Sequence, residues 1–260
     1  MIDLLKSLRE VVVQPGQLAV CSLGQAGFIY KTESGRYIVI DPYLSDYCEH
    51  RIGREFKRLM PSLLTPQELE ALPIAAYLLT HQHEDHLDVE TIQAISDATF
   101  PFYAPPDSIQ MLSELGIAGE RCQPLFEGAH YELDGIVIKG VHADHGDIAP
   151  DAVGIIVQYG GKTIYHMGDT CLHADKLHLL SDQFNIDVVI APINGRYGNM
   201  NEADAISAVS ILQPRYAVPC HFWMLPGNSG GDPVRFLDGV DEQAPNTKAM
   251  LVHSGEIFIV

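Results

Sequence analysis

Residues 81–86, HQHEDH, bring His81, His83, Asp85 and His86 together within six positions. Imidazole nitrogens and carboxylate oxygens are together the donor set of a divalent transition metal. A lone loop histidine is ordinarily just solvated, but three with an aspartate in one short segment point to metal chemistry. Three further candidates stand where other apolar runs stop: His145 in HADHGD, Asp169 in GDT, and His221 after YAVPC. If these ends gather at one edge, they supply ligands for two ions with one carboxylate shared. Such a pair of ions activates water and stabilises the oxygen on which charge develops, so the expected chemistry is hydrolysis.

The elements that must position these residues are legible from periodicity. Ile74 to Leu79, bounded by Pro73, reads as a buried strand, and Leu87, Val89, Ile92 and Ile95 fall at helical spacing, predicting a helix to about Asp97. The motif therefore occupies a tight strand-to-helix loop. There His81 and His83 converge on one point while Asp85 and His86 reach a second beside it. Upstream, 18–23, 26–31 and 36–40 read as an antiparallel meander ending at Asp41-Pro42. Asp41 is either a turn residue or a carboxylate standing behind a metal ligand. Thr65-Pro66-Gln67-Glu68 has the form of a capping box, 100–105 is a short strand, and Asp107 is expected to cap a helix stopping at Gly116. Strand 136–141 delivers His142 and His145. A hairpin of 154–159 and 162–167 ends at Gly168-Asp169-Thr170. Strand 187–191, a helix over 202–212, strand 215–220 and a final hairpin in MLVHSGEIFIV complete the chain. The order predicts two similar β-rich halves packed sheet on sheet with helices outside, an α+β single domain spanning 1–260.

Composition narrows the function. The chain has 260 residues, 47% hydrophobic and 19% charged, which is globular rather than disordered. No apolar run approaches the length of a membrane span, and MIDLLKSLREVVV reads as a short amphipathic helix rather than a secretory leader. Five cysteines, widely spaced and without CxxC, argue against a disulfide framework and for a reducing cytoplasm. Cys171 and Cys220 adjoin candidate ligands and stay open as ligands themselves. A net charge of −18 lacks the basic footprint of a nucleic-acid binder, although dications would reverse the sign locally and admit a small anionic substrate. The one basic concentration is 48–60, CEHRIGREFKRLM. It is either a solvated face or a flap whose Arg51, Arg54, Lys57 and Arg58 hold an anionic substrate group.

HQHEDH resembles the HxHxDH signature of the metallo-β-lactamase superfamily, and ADH, GDT and PCH follow in that family's order across nearly the whole chain. The resemblance implies an αββα four-layer sandwich, two packed mixed β-sheets flanked by helices. It assigns His81, His83 and His145 to a first metal, Asp85, His86 and His221 to a second, and Asp169 to a bridge between them, with Asp85 and Asp169 the catalytic carboxylates. His145 fits the family pattern better than His142, which is read as a neighbouring loop residue. His166, His173 and His178 match no ligand position and are read as structural or surface. His83, rather than Glu, argues against the di-iron oxygen-reducing branch. Asp169 stands where antibiotic-cleaving zinc enzymes usually carry Cys, which argues against that activity.

YIVIDPYLSDY, PINGRYGNMNE and PCHFWMLPGNSGGDPVRF resemble the L-ascorbate-6-phosphate lactonase group, whose enzymes are longer than this chain. That resemblance implies a cytoplasmic, manganese-dependent lactonase acting on a small phosphorylated sugar-acid lactone, and a homo-oligomer. Mixed His and Asp ligation accommodates Mn2+, Zn2+ or Fe2+. A metal-held hydroxide would attack the lactone carbonyl, Asn194 would donate to the oxyanion, and Arg196 or the 51–58 cluster would hold the anionic tail. A phosphodiesterase acting on a small phosphodiester or phospholipid, and a metal-dependent sensor without turnover, are the alternatives from other classes.

Overall fold

The computed structural model describes residues 3–95, 98–224 and 230–260. Strand alternation fixes its layers. In β1 (Leu18–Gly24), β2 (Gly27–Thr32) and β3 (Tyr37–Ile40), Leu18, Val20, Phe28, Tyr30, Ile38 and Ile40 share one buried cluster, while Cys21, Ile29 and Val39 belong to another. Successive side chains point to opposite faces, so strands apolar on both faces must be covered on both. β4 (Ile74–Leu78), β5 (Phe102–Ala104) and β6 (Cys122–Pro124) extend this antiparallel meander as three parallel strands.

The second sheet repeats the plan. β7 (His130–Leu133), β8 (Ile136–His142), β9 (Val153–Tyr159) and β10 (Lys162–His166) are antiparallel neighbours. β11 (Val188–Pro192), β12 (Tyr216–Cys220) and β13 (Lys248–Ala249) then add in parallel. β14 (Ile257–Ile259) returns to the first sheet, antiparallel to β1. Among the described residues each sheet has seven strands, ordered β14-β1-β2-β3-β4-β5-β6 and β13-β12-β11-β10-β9-β8-β7.

One core lies between the sheets, where Val20, Ile38 and Leu78 meet Ile138, Ile155 and Ile190. The outer face of the first sheet is covered by α1 (Leu4–Glu10), α3 (Pro66–Glu70), α4 (Val89–Ala94) and α5 (Pro106–Glu114), and that of the second by α6 (Ala174–Gln183), α7 (Glu202–Leu212) and α8 (Pro233–Gln243). Here α2 is Tyr47–Arg51. α7 alone buries Ile206, Val209 and Leu212, each worth roughly 1.5–3 kcal/mol of apolar transfer. The result is the four-layer αββα sandwich.

The capping box forms, with the Thr65 hydroxyl accepting from Glu68 N and the Glu68 carboxylate from Thr65 N. Three local expectations are corrected. The tail is not a hairpin, because β13 and β14 join the edges of different sheets. α5 is entered through Pro105 with no side-chain cap, and Asp107 sits inside its first turn. α4 is shorter than its apolar spacing suggests, ending at Ala94; Asp97 lies outside the described residues, as do 225–229 of the PCHFWMLPGNSGGDPVRF stretch.

Candidate metal centre

α4 begins immediately behind HQHEDH because Asp88 caps it, accepting from Thr91 N at 3.3 Å. The same buried carboxylate takes Leu44 N, Ser45 N and the Ser45 hydroxyl at 3.0, 2.9 and 2.6 Å, fastening the ligand loop to the chain after β3. His83 carbonyl accepts from His86 N and Leu87 N at 2.9 and 2.8 Å, making the loop one tight turn.

Two groups of donors result. His83 Nδ1 lies 2.9 Å from His81 Nε2 and 3.2 Å from His145 Nε2. Beside it, His221 Nε2 is 3.2 Å from His86 Nε2 and 3.1 Å from Asp85 Oδ2. Asp169 reaches both groups: Oδ1 is 3.3 Å from His86 Nε2, and Oδ2 is 3.1 Å from His221 Nε2 and 3.6 Å from His145 Nε2. Thus all seven residues expected as ligands converge, from the loop after β4 and from the ends of β8, β10 and β12. Neither His142, His166, His173 nor His178 is among them. His166 is spent between Ala26 O at 2.8 Å and Gly168 N at 3.1 Å.

Each inward nitrogen has an outward partner fixing its ring, except in His145, whose Nδ1 is buried without one among the described residues. Asp41 Oδ2 holds His86 Nδ1 at 2.7 Å and Gln25 Nε2 stands 3.3 Å from His221 Nδ1. Thr80 Oγ1 stands 3.1 Å from His81 Nδ1, and Ile148 O 3.1 Å from His83 Nε2. Partners of this kind select the tautomer and aim the ring. Asp41 is itself fixed by Thr80 N and Thr80 Oγ1 at 2.9 and 2.6 Å, so its carboxylate stands behind the candidate ligand His86.

The backbone is strained where it serves the site. Asp41 and His221 have φ of 45° and 62°, a region that non-glycine residues rarely occupy. Gly168, at φ 64°, precedes Asp169 where a Cβ would come within 3.0 Å of Thr80 Cβ, so GDT needs its glycine.

The charges are mutually dependent. Burial pushes the His81 imidazole well below its ordinary pKa, with His86 adding to the effect, and takes His145 down to about 4. Burial also opposes charge on His86 and His221, but the surrounding carboxylates outweigh it. Asp169, Asp41 and Asp85 hold His86 well above the ordinary range, and Asp169 and Asp85 raise His221 to about 10. Burial would raise Asp169 and Asp85, yet these two imidazoles hold both carboxylates low. Without a metal, protons on imidazole are the cations that balance the carboxylates. Dications fit the same role, because imidazole nitrogens face one another across 2.9–3.2 Å around the buried Asp169 carboxylate.

Above the donors opens a cleft of about 230 Å3 lined by His83, Asp85, His145, Asp169 and His221. Its walls include Ile52, Phe56, Ile148, Tyr197 and Met224, with Gln25 and Asn194 lower down. Asn194 is buried, and its Oδ1 has no partner among the described residues. The expected cations are not among the lining residues. Arg58 donates to Tyr43 O at 2.8 Å, pairs with Asp46 and stacks over the Tyr43 ring, while Lys57 pairs with Glu49 at 2.6 Å. Arg54 and Arg196 are exposed. The 48–60 segment does form a wall, but through Cys48, Ile52 and Phe56, because its charges turn to solvent and to neighbouring carboxylates.

Gln25, Thr80, Asp88 and Asn199 were not singled out by sequence reasoning. Gln25 also donates to Asp85 Oδ2 at 2.9 Å, and Asn199 to Asp169 Oδ2 at 2.7 Å. Gln25 sits between glycines and reads as a turn. Asn199 lies in the PINGRYGNMNE stretch, the one hint available.

A chain with this sandwich and this donor set belongs to the beta-lactamase superfamily, whose domain model matches residues 36–222. It is by family a metal-dependent hydrolase. It is 30% identical over 226 residues to a UPF0173 metal-dependent hydrolase of Sulfurisphaera tokodaii, covering 85% of this chain and 91% of that one. A second UPF0173 metal-dependent hydrolase, of a Polaromonas species, is 29% identical over 265 residues, covering 93% and 89%. Igni18, a metallo hydrolase from Ignicoccus hospitalis, superimposes with a TM-score of 0.76 at 24% identity over 94% of this chain and 98% of its own. That likeness is one of fold. No helix among the described residues is long and apolar enough to cross a membrane.

Proposed function

We propose that the chain opens lactones, and that its substrates are small and largely apolar. The observation that carries the substrate class is the cleft, whose walls are Ile52, Phe56, Ile148, Tyr197 and Met224 above a floor of imidazoles and carboxylates. The phosphorylated sugar-acid lactone implied by resemblance would need Arg54 or Arg196 to bend over the mouth, since Lys57 and Arg58 are already paired. An apolar acyl or alkyl group needs no such rearrangement.

His81, His83 and His145 would hold one divalent ion and Asp85, His86 and His221 the other, with Asp169 between them. When bound, the ions supply Lewis acidity and acidify water; Mn2+, Zn2+ and Fe2+ all suit the donors. The protein's own groups do the rest. Asp85 lines the cleft and receives the proton of the attacking water, with Gln25 holding its Oδ2. Asn194 orients the lactone from the wall, and Phe56 and Tyr197, whose rings lie 6.3 Å apart, close on its apolar portion. The leaving alkoxide stays tethered to the product, so no strong general acid is required. The five cysteines are all unpaired, which supports a reducing compartment such as the cytoplasm.

The test compares alkyl- or aryl-substituted γ-lactones, a phosphorylated sugar lactone and bis-(p-nitrophenyl) phosphate, beside elemental analysis of the purified protein. We expect at least two equivalents of metal, turnover fastest on the apolar lactones, and loss of turnover on chelation. Preference for the phosphorylated lactone would restore an anionic substrate, and preference for the phosphodiester would overturn the lactonase reading. Tight binding without product would favour a sensor.

A further inference from the structure

The loops that carry His145 and Asp169 meet a second time, at residues that do not line the cleft. Asp144 Oδ2 lies 2.7 Å from His173 Nε2, and Cys171 Sγ lies 3.3 Å from the same nitrogen. One donor atom from each falls within 4.8 Å of the others. We propose that Asp144, Cys171 and His173 form a third metal site of the zinc class, which clips the two ligand-bearing loops together.

The donor set of thiolate, imidazole and carboxylate suits Zn2+ and its neighbours. Metal–ligand bonds of about 2.0–2.3 Å at tetrahedral angles separate donors by roughly 3.3–3.6 Å. The N···S contact is already there, and the N···O contact must open by about 0.6 Å, within the reach of a side-chain rotation. The backbone beneath is prepared. Cys171 N donates to Asp144 O at 2.9 Å, Asp144 N donates to Thr170 Oγ1 at 2.9 Å, and Gly146 N holds Asp144 Oδ1 at 3.0 Å, leaving Oδ2 towards His173. His142 borders the cluster without belonging to it. His142 lines, with Thr170, Cys171 and His173, a void of about 10 Å3, room for roughly one water-sized sphere. Its Nε2 is buried with no hydrogen-bond partner among the described residues, while Nδ1 is 3.1 Å from Glu127. The competing reading is a half-exposed Asp144–His173 pair with a thiol beside it, which involves no thiolate.

The thiol makes the two readings separable. None of the seven donors of the main centre is sulfur, so cobalt bound there gives no thiolate-to-cobalt charge-transfer absorption. Cobalt bound at Cys171 does, in the near ultraviolet. Chelator-stripped protein titrated with Co2+ is expected to take up three equivalents, one arriving with that absorption. Cys171→Ser should keep two and show none. His173→Gln, which retains the thiol, should lose it too. Saturation at two equivalents without the band, or a band that survives either substitution, would overturn the site. Because the readout is sulfur absorption and stoichiometry rather than turnover, its failure is distinct from failure of the lactonase reading.

Discussion

The two halves of the molecule share a sheet plan but deliver their ligands in opposite ways. Each half runs an antiparallel meander into three parallel strands. The first half places His81, His83, Asp85 and His86 in one loop after β4, six residues long and tied down by Asp88. The second half supplies one residue from each of three separated strand ends: His145, Asp169 and His221. Where β4 has its histidine loop, β11 has Asn194. The last strand of each meander, β3 in one half and β10 in the other, leads to a buried aspartate, yet the two have different fates. Asp41 is engaged by Thr80 and His86 behind the donors, whereas Asp169 stands among them and reaches both groups. Each half nevertheless contains one imidazole pushed down by burial (His81, His145) and one pushed up by neighbouring carboxylates (His86, His221). One half is a compact motif; the other is a set of positions that only the sheet aligns.

The sharpest way to break that comparison is Asp169→Ala, which removes a carboxylate reaching both donor groups. Metal held at the main centre should drop from two equivalents to one or none, and hydrolysis should fall on the order of 10³-fold. Retention of two ions with normal turnover would mean that the second half does not complete the site.

Next in size is the pH response of the chelated protein. The folded pKa of His145, about 4, lies below the unfolded value near 6.5. Stability from its neutral form is therefore complete above pH ~6.5 and lost as pH falls towards 4, by ~3 kcal/mol. His221, raised to about 10, behaves oppositely: its contribution is complete below pH ~6.5 and lost as pH rises through 10. Urea midpoints should peak near neutrality, and a flat profile from pH 4 to 10 would contradict a shared buried charge network.

Asp41→Asn probes the aspartate already satisfied. It keeps the shape but removes the charge behind His86, so affinity for the metals, read by competition with a chelator, should weaken about 10–100-fold. No change would reduce Asp41 to a role in folding. Gln25→Ala, losing contacts to Asp85 and His221 together, should sit at the low end of that range, about tenfold. Equal effects from the two variants would erase the distinction between a charged and a neutral partner. Smallest is Phe56→Ala, a wall residue outside the donor set, for which KM for an apolar lactone should rise roughly tenfold with kcat little changed. A fall in kcat instead would assign the wall to the chemistry.

The sequence by itself determined the periodicity that makes the central strands, the loop that packs four donors into six residues, and the positions of the remaining donors at strand ends. Those features are local: alternation, helical spacing and punctuation by proline and glycine act over a few residues. What only the tertiary structure decided is what stands behind and above the donors. Gln25 meets His221 across 196 positions and Asp41 meets His86 across 45, and nothing in the flanking residues of Gln25 marks it as more than a turn. The basic stretch 48–60 shows the limit from the other side, since composition displayed its charges while folding turned Ile52 and Phe56 into the cleft. Edge strands such as β6, β7 and β13 escaped sequence reading for a related reason. They are short and join sheets whose other strands lie far away in the chain, so their partners, rather than their own residues, make them strands.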